Sequence, residues 1–593
     1  MPMRQFFSVG FLLLIFSQSI SAQDSTSIDE LIVTATKIEL SADQIIAPVV
    51  VLDQLDIELS GVNGIAELLS SVSGINISTN GGPGQLTSIF VQGSNSNQVL
   101  ILVDEIAIND SATGIAAIQN IHPDIIEKIE IVKSPRTSLY GSNAVGGVIH
   151  IFTKRNQEGV NIGFKSGSDN TKVTNIFAST EVLNGLMGLQ LNHYDTAGFP
   201  SKEGSNINSP HDNRSLKGFF DQQWGGSTLK ASIWNSQGTT DYLDFFFNPI
   251  SQDFDNTAIS FNFDQKKNEV WSSSLHLGMN KDFLNQNDSN DFNHSKKFIL
   301  EWKNNLKWNP NNQLIAGIAF ENEEFEASNY GLGIDSEFSN RAVFLENIFL
   351  SGKNQFLIAL RLNNKENIED KISWNLEYGY RLNSKTRLLF SAGKAHRNPS
   401  SFDLYGFGGN PSLRPEYSEK ISVGLNYQPN SSTNFDLRYF DNRIKDLVAF
   451  NYSDFKLYNI EESKTSGFDV IFEKDINNWI LSLNATLQDP KNLTTFTQLL
   501  RRPKNSMNMG VRRSFDKLTI NVNLEKNSSR NDFGGVVLGA YTIANASIQY
   551  RLNSNWIFNG SITNLSNEKY TLANGYMTPD RKINIGFVYF PNG

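Results

Sequence analysis

The sequence predicts a transmembrane β-barrel of about 22 antiparallel strands with an N-terminal α/β plug domain inside its lumen. Three observations predict it. The chain opens with an export-type leader, continues with a mixed α/β stretch up to about Arg155, and then alternates apolar and polar residues over roughly 440 positions.

The leader comes first. Residues 1–5 carry one positive charge at Arg4, residues 6–16 are almost unbroken apolar, and Ser19, Ser21 and Ala22 supply small residues. That is the order of a secretory signal peptide, and the apolar run is too short to cross a bilayer as a helix. The expected organisation is a signal peptide over 1–22, an N-terminal segment over 23–40, the plug over 41–155 and the barrel over 156–593.

Composition narrows the class. The 593 residues include no cysteine and carry a net charge of −10. Disulfides, thiolate metal sites and cysteine nucleophiles are therefore excluded, and the acidic balance argues against nucleic acid as a partner. Mean hydropathy is −0.31, and no long apolar run follows the leader, so membrane helices are not expected.

Within the plug, Ile65-Ala66-Glu67-Leu68-Leu69 reads as a short helix ended near Gly74. "QVLILVDE" (98–105) is a continuous apolar strand of the kind buried on both faces. "EKIEIVKS" and "GGVIHIFTK" are two more strands around the Gly-rich turn "YGSNAVGG".

The barrel region changes grammar. In "KKFILEWKNNLKW", Phe298, Leu300, Trp302, Leu306 and Trp308 share one parity, and Lys297, Glu301, Lys303 and Lys307 the other. "NWILSLNATLQ" and "LTINVNLEK" repeat the pattern, and "ISVGLNYQPNSSTNFDLRYF" adds a hairpin turn. A soluble sandwich alternates as well. The length without a helical interruption, the aromatic residues near strand ends and the export leader favour a closed barrel, which bilayers admit because every backbone group is paired. At about 20 residues per strand and loop, the region yields about 22 strands. Ile583, Ile585, Phe587 and Tyr589 alternate as a last strand should. A barrel this wide is an open pore unless something fills it, and the plug has the size to do so.

Several motifs bear on chemistry. "NGGPGQLTS" packs Gly81, Gly82 and Gly84 around Pro83, a loop able to take unusual backbone angles, either as an ordinary turn or as a presented binding loop. "SPRTSLYGSNAVGG" lacks the Gly-Lys-Ser/Thr of a phosphate loop, and Arg136 within it is expected to lie buried against barrel carboxylates. No Ser/His/Asp grouping and no metal-type histidine spacing stands out, so neither catalysis nor a catalytic cofactor is expected. Asp195, Asp212, Asp244 and Asp255 fall early in the barrel in what read as loops of consecutive strands. Such oxygen-rich loops suit a structural Ca²⁺, the competing reading being a merely solvated rim.

Four stretches together resemble the TonB-dependent outer-membrane receptors, and the cobalamin receptors among them most. "DELIVTATK" (29–37) resembles the TonB box, "NGGPGQLTSIFVQGSNSNQVLILVDEIAIN" (80–109) the plug apex, "IEIVKSPRTSLYGSNAVGGVIHIFTKR" (129–155) the plug signature, and "HRNPSSFDLYGFGGNPSLRPEYSEK" (396–420) the barrel signature. The resemblance implies TonB-driven uptake across the outer membrane of a Gram-negative bacterium. TonB would dock on Asp29, Glu30, Leu31, Ile32, Val33, Thr34, Ala35 and Thr36, with Leu31-Ile32-Val33 as an unpaired strand. It implies ligand contacts at Gln85, Leu86, Asn95 and Thr113, although the chain departs from the family pattern at Thr113 and Gly114. It also implies calcium at the four aspartates, a monomer, and outer-membrane lipid and lipopolysaccharide around the wall. The ligand implied is a cobalamin or other corrinoid. Alternatives are a ferric siderophore or another scarce large ligand and, in a different class, a passive channel or adhesin.

Overall fold

The computed structural model describes residues 32–33, 37, 40–41, 44–155, 158–244, 246–329, 332–366, 368–451 and 454–591. The proposed signal peptide, and within the TonB-box stretch Asp29, Glu30, Leu31, Thr34, Ala35 and Thr36, lie outside them.

The wall is a closed barrel of 22 strands, as the alternation predicts. Each strand pairs antiparallel with its chain neighbour, and the first wall strand, Gly159–Gly167, closes the ring on the last, Lys582–Tyr589, with Phe164 opposite Phe587. Side-chain parity behaves as read. On the strand Phe292–Asn309, Phe298, Leu300 and Trp302 face outward and are exposed where lipid would lie, whereas Lys297 is buried in the lumen. One rim carries two-residue turns such as 183–184, 352–353 and 477–478; the other carries the long loops 197–210, 398–415, 493–504 and 564–581. Outer-membrane barrels set short turns inside and long loops outside.

The plug occupies the lumen. A two-residue hairpin, β1 (Ile32–Val33) with β2 (Leu40–Ser41), precedes it. Then follow β3 (Val49–Leu52), α1 (Gln54–Ser60), α2 (Ile65–Ser70), β4 (Ile75–Thr79), β5 (Thr87–Val91), β6 (Val99–Val103), β7 (Ile106–Ala107), β8 (Ile126–Val132), α3 (Thr137–Tyr140) and β9 (Gly147–Thr153). Five of these strands form one sheet in the order β3-β8-β9-β6-β7, with β6 and β9 parallel. β6, read as buried on both faces, is buried at all five positions. α1 starts on Asp53, whose carboxylate accepts the Asp56 N–H in a capping box, and ends at Gly61 in the left-handed region. The core of the plug joins α1 and α2 to the sheet through Ile57, Leu69, Ile101, Ile129 and Ile149.

The plug is tied to the wall by buried ion pairs. Arg136 Nη1 lies 2.5 Å from Glu377 Oε1, both side chains 1% exposed, with the buried carboxylate of Glu346 close enough to act on it. Lys133 Nζ is 2.9 Å from Asp469 Oδ2. Asp104 accepts from Lys217 of the wall and lies 3.2 Å from Arg155. Burial alone would raise the Asp104 carboxyl, but these two cations hold it well below the ordinary carboxylate range. The expectation that Arg136 meets barrel carboxylates describes the structure.

Candidate binding site at the outer mouth

Three plug loops rise toward the long-loop rim. In the first, the Asn80 N–H donates to the Leu86 carbonyl and closes the loop, while Gly81 (φ +123°) and Gly84 (φ +73°) take backbone angles that other residues rarely adopt. A Cβ on Gly84 would sit 2.1 Å from the His211 ring of the wall, so the loop packs against the barrel only because that residue has no side chain.

The four ligand contacts expected from the sequence fare differently. Leu86 is 52% exposed and points to open space. Gln85 is 7% exposed: its Nε2 donates to Ser201 Oγ at 3.0 Å, and Ser201 in turn bonds Ser209 in the outer loop 197–210. Asn95 caps the turn Ser96–Gln98 and accepts a hydrogen bond from Arg502. The Thr113 hydroxyl donates to Asp110 at 2.9 Å and receives the Ile115 N–H at 3.1 Å, so it shapes its own turn. Burial pushes the Asp110 carboxyl up, against the pull of the Thr113 hydrogen bonds. One of the four therefore presents a surface, two couple the plug apex to outer loops of the wall, and the fourth is internally satisfied.

The sequence reading missed Arg502, in the outer loop 493–504. Its guanidinium lies 3.9 Å from the centroid of the Phe90 ring and donates to the Ser94 carbonyl and to Asn95, both on the plug. Arg502 is buried, yet among the described residues no carboxylate pairs with it, whereas neighbouring Arg501 is paired with Asp532. Burial first, and then Arg501, push Arg502 down to about 9. The doublet Arg501-Arg502 in a loop rich in outer-face contacts was the available signal.

The four aspartates do not form a cation site. Asp195 and Asp212 stand opposite each other on adjacent strands, and Asp255 lies within the strand Pro249–Lys266, so these three are in strands and not in loops. By parity Asp195 shares the outward face of Leu189 and Leu191, and Asp255 that of Ile259 and Phe261. Asp212 is held by His193 at 2.7 Å and Arg214 at 3.2 Å, and Asp255 by Lys281 at 2.6 Å. Asp244 accepts from Asn248 within its own turn. No group of three or more candidate ligands converges among the described residues. Carboxylates spread over separate strands and a turn, two of them already paired with cations, do not fit the six to eight oxygens that Ca²⁺ takes.

With this geometry in view, the comparisons decide the family. The profile described as the TonB-dependent receptor plug domain matches residues 41–148, and that described as the TonB-dependent receptor-like β-barrel matches residues 159–565. The chain belongs to the TonB-dependent receptors. Solved structures of similar fold include the siderophore receptor PirA from Acinetobacter baumannii (16% identity, 91% of this chain and 98% of that one, TM-score 0.78). They also include the ferric enterobactin receptor PfeA from Pseudomonas aeruginosa, in complex with enterobactin (15%, 92% and 100%, 0.78). A third is the ferric-catecholate import receptor Fiu from K12 E. coli (12%, 93% and 97%, 0.79). At these identities the likeness is one of fold. Members of this receptor family bind a large ligand and TonB, and they transport rather than catalyse.

Proposed function

We propose that this TonB-dependent receptor imports an anionic ferric siderophore, bound at the outer mouth by the plug apex and the loops around it. The observation that carries the reading is Arg502, a buried cation of the outer loop 493–504 set against the plug apex, with no carboxylate of its own among the described residues. A buried charge left unpaired is costly, and a bound anion would compensate it in a low-dielectric site. Ferric catecholates are anions, and the receptors of similar fold named above carry ferric siderophores or ferric catecholates. A second reading, a corrinoid, rests on the likeness of Gly84-Gln85-Leu86 and its flanks to the cobalamin receptors; against it, Gln85 is engaged with Ser201.

Binding of iron-labelled ferric enterobactin and of labelled cyanocobalamin to outer membranes carrying the receptor separates the two. The siderophore reading expects saturable binding of the ferric chelate that weakens about tenfold in Arg502→Gln, as loss of one charge-assisted contact does. Cobalamin binding above background, unaltered by Arg502→Gln and without ferric chelate binding, would establish the corrinoid instead.

Leu86 affords a second check. Because it is exposed, Leu86→Ala should leave thermal stability unchanged while weakening the transported ligand by about 1–2 kcal/mol of lost apolar contact. Equal affinity in the variant would remove Leu86 from the site.

A further inference from the structure

The outward face of the wall is not uniform. A furrow of about 460 Å³ runs across five neighbouring strands, from Trp271–Gln286 to Asn354–Lys365. Ile318, Val343 and Leu362, opposite one another in register, make one border, and Phe320, Arg341 and Asn364 make the other. The furrow climbs. Leu275, at its lower end, lies four positions from the inner strand end Trp271, whereas Arg341 and Asn364 each lie ten from theirs, Ser351 and Asn354. At about 3.3 Å per residue and a tilt of about 40°, ten positions rise about 25 Å, the height of the apolar band of such barrels. Arg341 therefore stands where hydrocarbon gives way to the headgroups of the outer leaflet.

Arg341 is exposed, and among the described residues no carboxylate pairs with it. Outward cations on nearby strands are paired, Lys281 with Asp255 at 2.6 Å and Lys296 with Glu324 at 3.9 Å. The carboxylates rimward of Arg341 take neutral donors instead. Glu337 accepts from the Asn322 amide at 2.9 Å, Glu366 from the Ser339 hydroxyl at 3.3 Å and Asp370 from the Asn364 amide at 2.7 Å. The guanidinium is thus left to face the outer leaflet at the head of an apolar furrow.

We propose that this furrow seats one lipopolysaccharide molecule, an acyl chain lying along Ile318, Val343 and Leu362 and a phosphate held by Arg341. Bulk hydrocarbon has no use for a cation, and a solvated rim has no use for a furrow beneath it. The two together fit an amphiphile that carries a phosphate at the head of its chains. A guanidinium grips a phosphate through two parallel hydrogen bonds, and the furrow orders the chain below it. The seat lies on the lipid side of the wall, so it does not depend on which ligand the lumen carries.

Purified full-length receptor in detergent is titrated with bisphosphorylated lipid A, and bound lipid is counted by native mass spectrometry. One molecule should bind saturably. Arg341→Gln should weaken it about tenfold, as loss of one charge-assisted contact does. Lys281→Gln, at a cation already paired with Asp255, should change it by less than about twofold. Val343→Trp, which fills the furrow yet keeps it apolar, should weaken binding about as far as Arg341→Gln does. Equal affinity in wild type and Arg341→Gln, or in wild type and Val343→Trp, would overturn the seat. Phosphatidylglycerol bound as tightly as lipid A would give the furrow to phospholipid and overturn the lipopolysaccharide reading. Receptor dimers in place of lipid adducts would give it to a second copy of the chain. Heat-modified gel mobility of the barrel reports whether each variant is folded.

Discussion

Deleting residues 29–36 is expected to reduce uptake of the transported ligand to background while its affinity at the outer mouth changes by less than about twofold. The two places are separated by the plug: Asn95 meets the outer loop 493–504 through Arg502, whereas Lys37 enters the lumen between Glu301 and Tyr140. On the proposed function, binding and energy input therefore draw on different contacts. A gentler version is Val33→Pro, which removes one backbone donor and so prevents a continuous ladder with an added strand. It should lower uptake nearly as far. Radiolabel accumulation in whole cells, measured beside equilibrium binding to isolated outer membranes, reads both quantities. Accumulation that persists without the segment would mean that the barrel conducts its ligand passively.

The second large effect is expected at Arg136. Its guanidinium and the carboxylates of Glu377 and Glu346 are buried together at the contact of α3 with the wall. Arg136→Ala leaves the buried Glu377 carboxylate without its cation, a loss of about 3–5 kcal/mol in the docking of the plug. The plug should then unfold at markedly lower denaturant while the barrel transition stays in place. Cells carrying the variant should admit large antibiotics that the closed receptor excludes. Combining it with Glu377→Gln, which removes the stranded charge, should restore part of the loss. A denaturation midpoint equal to wild type would show that the plug is held chiefly by its neutral contacts, such as the hydrogen bonds from Asn375 and Ser547 to plug carbonyls.

These expectations come from levels at which the sequence speaks unequally. Period-two alternation is a local property, so the outward set Phe298, Leu300 and Trp302 could be read without knowing what lies next to it. The same holds for β6, whose five consecutive apolar residues leave few alternatives to a doubly buried strand. Arg136 was legible because an arginine inside a Gly-rich turn that is no phosphate loop needs a counter-charge once the turn is buried. The aspartates were not. Whether Asp195 and Asp255 face lumen, loop or outer surface depends on where each strand ends, and these strands run several residues past their last outward apolar residue, Leu191 in one and Ile259 in the other. Gln85 and Arg502 depend on a contact between segments more than 400 positions apart at the plug apex, or more than 100 in the case of Ser201. No local pattern encodes such pairings. The segment "DELIVTATK" is an intermediate case. Its strand character was plain, but its partner is a pair of residues seven to nine positions on that carries no strand signal of its own.

The closure of Gly159–Gly167 on Lys582–Tyr589 bears on how the protein comes into being. The strand that begins the wall must wait through the synthesis of every other strand before its second neighbour exists. Until then the wall is a curved ribbon with two bare margins, which hydrocarbon does not tolerate. Insertion is thus a decision deferred until the closing strand exists, and a product cut short before that stretch forfeits the membrane altogether.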